Sequence, residues 1–235
     1  MVGGRVFLAG LCLTGFLNGL AISCLFPVIP RYAEDLGAAP AAVGFISGAH
    51  AYTLALFMLT AGALVWKAGV AEGAFLGQGM EALISTLYLV TGNQLQLVLV
   101  RLLHGLFLSI VIVALNTSIT HVAPSKEVGG FFGVYTAFTQ LGYVSGPFLG
   151  GFLADRYGIE TAFILCTLSH ALGLLGLGVA VEGLTAMRGY TKRVRPQRPP
   201  PLRRIFLTLF LTAFNASSLG LLLIPVSYTH LRAHE

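Results

Sequence analysis

Gly142-Tyr143-Val144-Ser145-Gly146-Pro147-Phe148-Leu149-Gly150-Gly151 lies near the end of an apolar stretch that opens at about Val128. Gly142, Gly146 and Gly150 are spaced by four, so on a helix they form one bare stripe. In lipid such a stripe lets a neighbouring backbone approach closely. Pro147 removes a backbone donor inside the stripe and bends the helix there. A kinked, glycine-faced membrane helix suits a bundle that packs tightly and also moves. The spacing alone fits static tight packing equally well.

Composition sets the class. Hydrophobic residues make up 56% of the chain and charged residues 10%, against about 25% charged in a soluble domain. Mean hydropathy is +0.83. The chain reads as an all-α, multi-pass membrane protein. Windows of about 20 apolar residues mark spanning helices, and seven are expected, near 6–29, 42–65, 73–91, 95–120, 128–153, 161–181 and 205–226. Pro40, Gly92-Asn93, Pro124 and Gly158 punctuate them. The first span is not read as a cleaved signal, because its apolar run passes Cys24 unbroken and more spans follow. Cys12, Cys24 and Cys166 all fall in apolar segments, with no metal spacing and no disulfide framework. They read as buried thiols.

Lys and Arg set the orientation. With the N-terminus inside, inner loops hold Arg5, Lys67, Lys126 and the cluster Arg188, Lys192, Arg193, Arg195, Arg198, Arg203 and Arg204; outer loops hold Arg31 and Arg156. The net charge of +5 is therefore a topology signal, and no nucleic-acid partner is expected. The acid-free segment 184–204 carries Pro196 and Pro199-Pro200-Pro201. It reads as a hydrated linker between a six-helix unit over 1–183 and a helix over 205–226.

Polar groups inside spans are functional candidates by default. Arg101 is a fixed positive charge, or else snorkels to the outer interface. Glu81 can carry a proton when set in apolar surroundings, or is a locally paired structural acid. His50 and His104 can titrate near neutrality; His170 is a weaker candidate. Asn18, Tyr52, Asn116 and Gln140 are neutral polar groups that serve either as glue between helices or as ligand contacts. Asn116-Thr117-Ser118 and Asn215-Ala216-Ser217 match a glycosylation sequon but lie within spans. Asp155-Arg156-Tyr157 follows the fifth span and lies outside, unlike the similar triplet of heptahelical receptors. Phosphate loop, zinc-spaced cluster and nucleophile elbow are all missing from the sequence, so neither an enzyme nor a cofactor is expected.

Several motifs converge on one family. The 142–151 stretch resembles the fifth-helix signature of drug/proton antiporters in the major facilitator superfamily. Leu153-Ala154-Asp155-Arg156-Tyr157-Gly158 with Ala162-Phe163 resembles the loop after it, and Arg101-Leu102-Leu103-His104-Gly105 the fourth-helix motif. Phe26-Pro27-Val28-Ile29-Pro30 with Asp35-Leu36-Gly37 resembles the end of the first helix and its loop. Over about 6–183 the chain is similar to the N-terminal half of such a transporter, and 205–226 to the first helix of its second half.

The resemblance implies a six-helix transmembrane bundle with a seventh helix from a second bundle. It also implies a secondary carrier that exports a small organic solute against protons by alternating access. A proton symporter or facilitator for uptake, and a non-transporting interaction module, remain the alternatives. Partners implied are a small-molecule substrate, protons, the bilayer and a second transporter half, with the protein in a bacterial cytoplasmic (inner) membrane, N-terminus inside. Arg101, Glu81 and His50 are the implied proton-coupling candidates. Asn18, Tyr52, Asn116 and Gln140 are the cavity candidates, and Gly142, Gly146, Pro147, Gly150, Gly151, Gly62 and Gly69 the conformational ones. Between the second and third spans the chain departs from the family. Gly62 and Gly69 keep the glycine frame, but Trp66 stands where an aspartate is expected and only Lys67 remains of the basic set. That puts the family's cytoplasmic charge latch in doubt; Glu72 is the available substitute. The final Ser227–Glu235 resembles an adapter-derived tail, so the natural protein is expected to continue beyond about Pro225.

Overall fold

Helix α1 (Val2–Ser23) gives way to α2 (Val28–Asp35) in a computed structural model whose described residues are 2–186. Nearly all of the linker expected over 184–204, the span over 205–226 and the tail over 227–235 lie outside them. The span expected over 6–29 lies inside one apolar stretch, Gly4–Asp35, but its helix is interrupted by a turn at 24–27. Pro27 has no N–H for the ladder, and turn hydrogen bonds from Phe26 N to Ser23 O and from Val28 N to Leu25 O carry the chain across the gap.

The other helices fall where the apolar windows place them. Helix α3 (Pro40–Ala68) starts with Pro40 in its first turn, where a missing N–H costs nothing. Helix α4 (Val70–Leu87) ends in a 3-10 turn, Tyr88–Val90. Helix α5 (Gln94–Val122) is capped by the Asn93 side chain, which accepts from Gln96 N at 2.9 Å. Helix α6 (Val128–Tyr157) runs through Pro147, and α7 (Ile159–Val179) is followed by the short α8 (Val181–Thr185). Gly69 (φ +113°) alone joins α3 to α4, and Gly158 (φ +98°) alone joins α6 to α7. Glycine takes such a φ without steric cost.

Four stretches among the described residues are long and apolar enough to cross a membrane: Gly4–Asp35, Pro40–Met58, Gln94–Val122 and Ile159–Val179. Helices α4 and α6 have the length, but α4 carries Glu72, Gln78 and Glu81, and α6 is diluted by glycine. Helix α1 packs on α6 and α7, α3 on α5, and α4 on α5 and α7. This pattern maps onto itself when α1, α3 and α4 are exchanged with α5, α6 and α7. That is the pairing expected of two similar three-helix repeats.

The α1–α6 seam is backbone against backbone. A Cβ on Gly142 would stand 2.8 Å from Leu20 N, and one on Gly146 2.8 Å from Cys24 N; Gly150 would strike Cys24. From the other side, a Cβ on Gly19 would meet Tyr143 N at 3.0 Å. Ser23 Oγ donates to Gly19 O at 2.7 Å and reaches Gly142 O at 3.3 Å, tying the two helices. Gly151 stands clear of this contact, its would-be Cβ 3.8 Å from Pro27, and Gly62 faces open space.

Two buried apolar clusters fill the bundle. One gathers Phe7, Leu11, Val65, Ile119 and Leu177; the other gathers Leu25, Ile46, Ile84, Leu97 and Phe163. The buried amide and ionisable side chains fall between them along the helices: Asn18 on α1, His50 on α3, Gln78 and Glu81 on α4, Arg101 and His104 on α5, His170 on α7. The bundle is thus two apolar slabs with a polar layer between. An exposed ion pair, Arg31 Nη1 to Asp155 Oδ1 at 2.7 Å, links α2 to α6 beyond the second slab; such pairs contribute about 0–1 kcal/mol.

Gly146→Val forces branched carbon into this seam and is expected to cost about 1–3 kcal/mol. Gly133→Ala, on the same helix with open space around it, is expected to be neutral. Thermal unfolding of the two variants in detergent checks the difference.

Candidate functional site

The polar layer is built from residues spaced three or four apart on otherwise apolar helices. Gln78 and Glu81 share one face of α4, Arg101 and His104 one face of α5, and Cys166 and His170 one face of α7. Packing turns these faces toward each other, and Glu81, His104 and His170 are fully buried there.

Glu81 Oε2 lies 2.8 Å from His104 Nε2 and 3.5 Å from His170 Nε2. The two ring nitrogens face each other at 3.2 Å. The His104 contact is close but off-line, so neither Glu81 oxygen has a well-directed hydrogen bond among the described residues. The outer nitrogens are held. Tyr88 OH lies 3.0 Å from His104 Nδ1, and Asn18 Oδ1 lies 3.1 Å from His170 Nδ1. Asn18 is locked to Gln78 by reciprocal amide bonds of 3.0 and 2.9 Å, and Gln78 Nε2 also donates to His170 O at 2.9 Å.

Arg101 is buried, so it does not snorkel to the interface. Its Nε and Nη2 donate to Ile46 O (3.3 Å) and Ser47 O (2.6 Å) on α3, while Nη1 has no partner among the described residues. One turn on, Gly105 lets α3 approach; a Cβ there would stand 3.0 Å from Leu54 N. The fourth-helix motif therefore pins α5 to α3. His50 stacks edge-to-face on His104, ring centroids 5.3 Å apart.

The expected cavity residues separate. Asn18 is spent inside the polar layer. Tyr52 is 54% exposed beside Phe45 and borders an apolar recess of about 500 Å³ with Leu56, Leu99 and Leu103. Asn116 is half-buried and Gln140 is exposed. Trp66 is 41% exposed at the end of α3. Glu72 opens α4 and folds its carboxylate back over Gly69, where it suits the helix N-terminus.

Gln78 and Tyr88 escaped the sequence reading, and His104 and His170 ranked low in it. The signal was present as polar residues repeating at helical spacing on three apolar segments. What was missing was their convergence. The cysteines have no metal spacing in sequence, yet the fold gathers donor atoms of His104, Cys166 and His170 within 4.8 Å of one another.

Comparison with known proteins bears on this arrangement. A family model described as Major Facilitator Superfamily matches residues 11–232. An uncharacterized MFS-type transporter, MJ1560, of Methanocaldococcus jannaschii is 28% identical over 72% of this chain and 42% of its own length. The multi-drug resistance efflux pump PmrA of Streptococcus pneumoniae is 29% identical over 87% of this chain and 54% of that protein. For the quinolone resistance protein NorA of Staphylococcus aureus the figures are 29%, 60% and 36%. The chain thus spans between about a third and a half of these relatives. The crystal structure of tetrameric PepTSo2 shares the fold at TM-score 0.66, with 16% identity over 98% of this chain and 52% of that one.

Tyr88→Phe strips His104 Nδ1 of its partner inside the layer. The expected loss is about 1–3 kcal/mol, measurable by thermal unfolding in detergent.

Proposed function

The chain belongs to the Major Facilitator Superfamily, and on that footing we propose that it works in a secondary carrier driving proton-coupled efflux of a small organic solute. The single observation that carries this reading is the α1–α6 seam. A contact between bare backbones with Pro147 in its midst can repack with little side-chain rearrangement, as alternating access demands. The names of the relatives PmrA and NorA support efflux as the direction. The substrate class is a drug-like compound, a sugar or a metabolite, taken up near the midplane. Tyr52, Asn116 and Gln140 are the groups on which we place its recognition.

Residues 1–183 form the N-terminal bundle in this reading. The second half completes the cavity. In this reading the membrane is a bacterial cytoplasmic one with the N-terminus inside, an orientation that the distribution of Lys and Arg supports. Arg101 supplies the fixed charge of the coupling machinery, and Glu81 and His50 the groups that exchange protons near it. One observation favours a non-transporting module: Trp66 occupies the position of the expected latch acid.

The product of the whole reading frame, reconstituted in liposomes with a panel of fluorescent efflux substrates, tests the proposal. Transport driven by an imposed proton gradient, and lost in Arg101→Ala, is the expected outcome. Export at full rate with the gradient collapsed overturns proton coupling. Absence of transport from folded protein across the panel favours the uptake symporter or facilitator, or the non-transporting module.

A further inference from the structure

Hydrogen-bond directions in the polar layer can be assigned by elimination. The His170 carbonyl can only accept, so the Gln78 group facing it at 2.9 Å is the amide nitrogen. Gln78 Oε1 then accepts from Asn18 Nδ2, which leaves Asn18 Oδ1 facing His170 Nδ1. An amide oxygen cannot donate, so His170 carries a proton on Nδ1, and in the neutral ring Nε2 presents a bare lone pair. That lone pair points at His104 Nε2 and at Glu81 Oε2. With Tyr88 OH donating to Nδ1 of a neutral His104, a single hydrogen on His104 Nε2 faces two acceptors, His170 Nε2 and Glu81 Oε2. The trio lacks one positive hydrogen, and two unsatisfied Glu81 oxygens mark where.

We infer that Glu81, His104 and His170 form an enclosed binding site for a single proton, separate from the substrate cavity and linked to the α1–α6 seam through Asn18. This rests on the carrier reading above only for its role, not for its existence. The proton comes from water on one side of the membrane, is held on Glu81 Oε2 where it faces His170 Nε2, and returns to water on the other. Only O–H and N–H bonds are made and broken.

The charges around the site set the stoichiometry. Arg101 is permanently positive, and both His104 and Tyr88 feel its charge and that of Glu81. With Glu81 ionised and the rings neutral, the layer is close to neutral; one added proton makes it +1. A second would bury another uncompensated charge, which apolar surroundings oppose. Other titratable groups face the trio: His50 from α3, Cys166 from α7 with Cys24 of the turn after α1 beside it, and Tyr143 of α6 within electrostatic reach of Glu81.

A metal ion is the competing occupant. Ligand atoms on a tetrahedral zinc stand about 3.3 Å apart. The 3.2 Å between the ring nitrogens fits, but the 2.8 Å from Glu81 to His104 is a hydrogen-bond distance. Cys166 Sγ is directed to Ser85 Oγ at 3.6 Å. The geometry points to a proton.

The link to the seam is short. Asn18 grips His170 with its side chain, while its neighbour Gly19 packs against α6. Asn18 is a positioning residue: a change in the protonation of the trio alters its hold on α1.

Infrared difference spectra of the purified whole-frame product, recorded across a pH titration, read the site without any substrate. A protonated-carboxyl band from apolar surroundings, present in the wild type and lost in Glu81→Gln, is the expected result. Nitrogen-15 spectra of the wild type are expected to show one histidine held as the Nδ1–H tautomer and released in Asn18→Ala; they decide the matter should Glu81→Gln fail to fold. A carboxyl band unchanged in Glu81→Gln, no histidine held as Nδ1–H, or stoichiometric zinc uptake abolished by Cys166→Ser overturns the inference. Gradient-driven transport without the band sinks this site and leaves the carrier reading standing; the band without transport does the reverse.

Discussion

Lipid gives helices no reason to associate through greasy side chains, so close backbone approach has to supply the attraction. Everything in this bundle follows from where that approach is possible. Gly142, Gly146 and Gly150 meet Gly19, Leu20 and Cys24 across the α1–α6 seam, and Gly105 does the same between α5 and α3. The two contacts occupy equivalent places when the first three long helices are exchanged with the last three. Helix α7 then closes on α1, and the polar faces of α4, α5 and α7 have nowhere to turn but inward.

The inward turn explains the layered interior. A carboxylate, a guanidinium and three imidazoles in an apolar bundle are tolerable only if they meet each other or backbone carbonyls. Arg101 chooses the carbonyls of Ile46 and Ser47, and Glu81 chooses the histidines. Asn18 and Gln78 satisfy one another and fix the ring of His170. The layer therefore orients its members as a network rather than as isolated pairs, and a network with an open acceptor responds to a change at any member.

Much of this was legible in the residues. The four-residue glycine spacing announced the seam, and the arginine–glycine spacing of 101 and 105 announced a pinned helix. Apolar windows located the long helices to within a few residues, because burial and lipid both demand unbroken hydrophobicity. The break at 24–27 was hidden because Leu25, Phe26 and Val28 keep hydropathy high while Pro27 ends the ladder. Asn18 looked like a cavity residue since one residue's type does not reveal what faces it. Glu81 and His170 stand 89 residues apart, and only the packing of α4 on α7 brings them together. Exposure of Tyr52 and Gln140 was equally invisible, since apolar helices in a bundle show no difference between inner and outer faces in composition alone.

The layer's position between two apolar slabs has an electrical consequence. Those slabs are the insulator of the structure, and a membrane voltage drops across them rather than across water. A full crossing of the bilayer is worth about 2.3 kcal/mol per elementary charge at 100 mV. A charge arriving at mid-depth has covered about half of that. A proton bound at the site we propose would therefore do electrical as well as chemical work on arriving from either face, with Glu81 as the tap of a voltage divider.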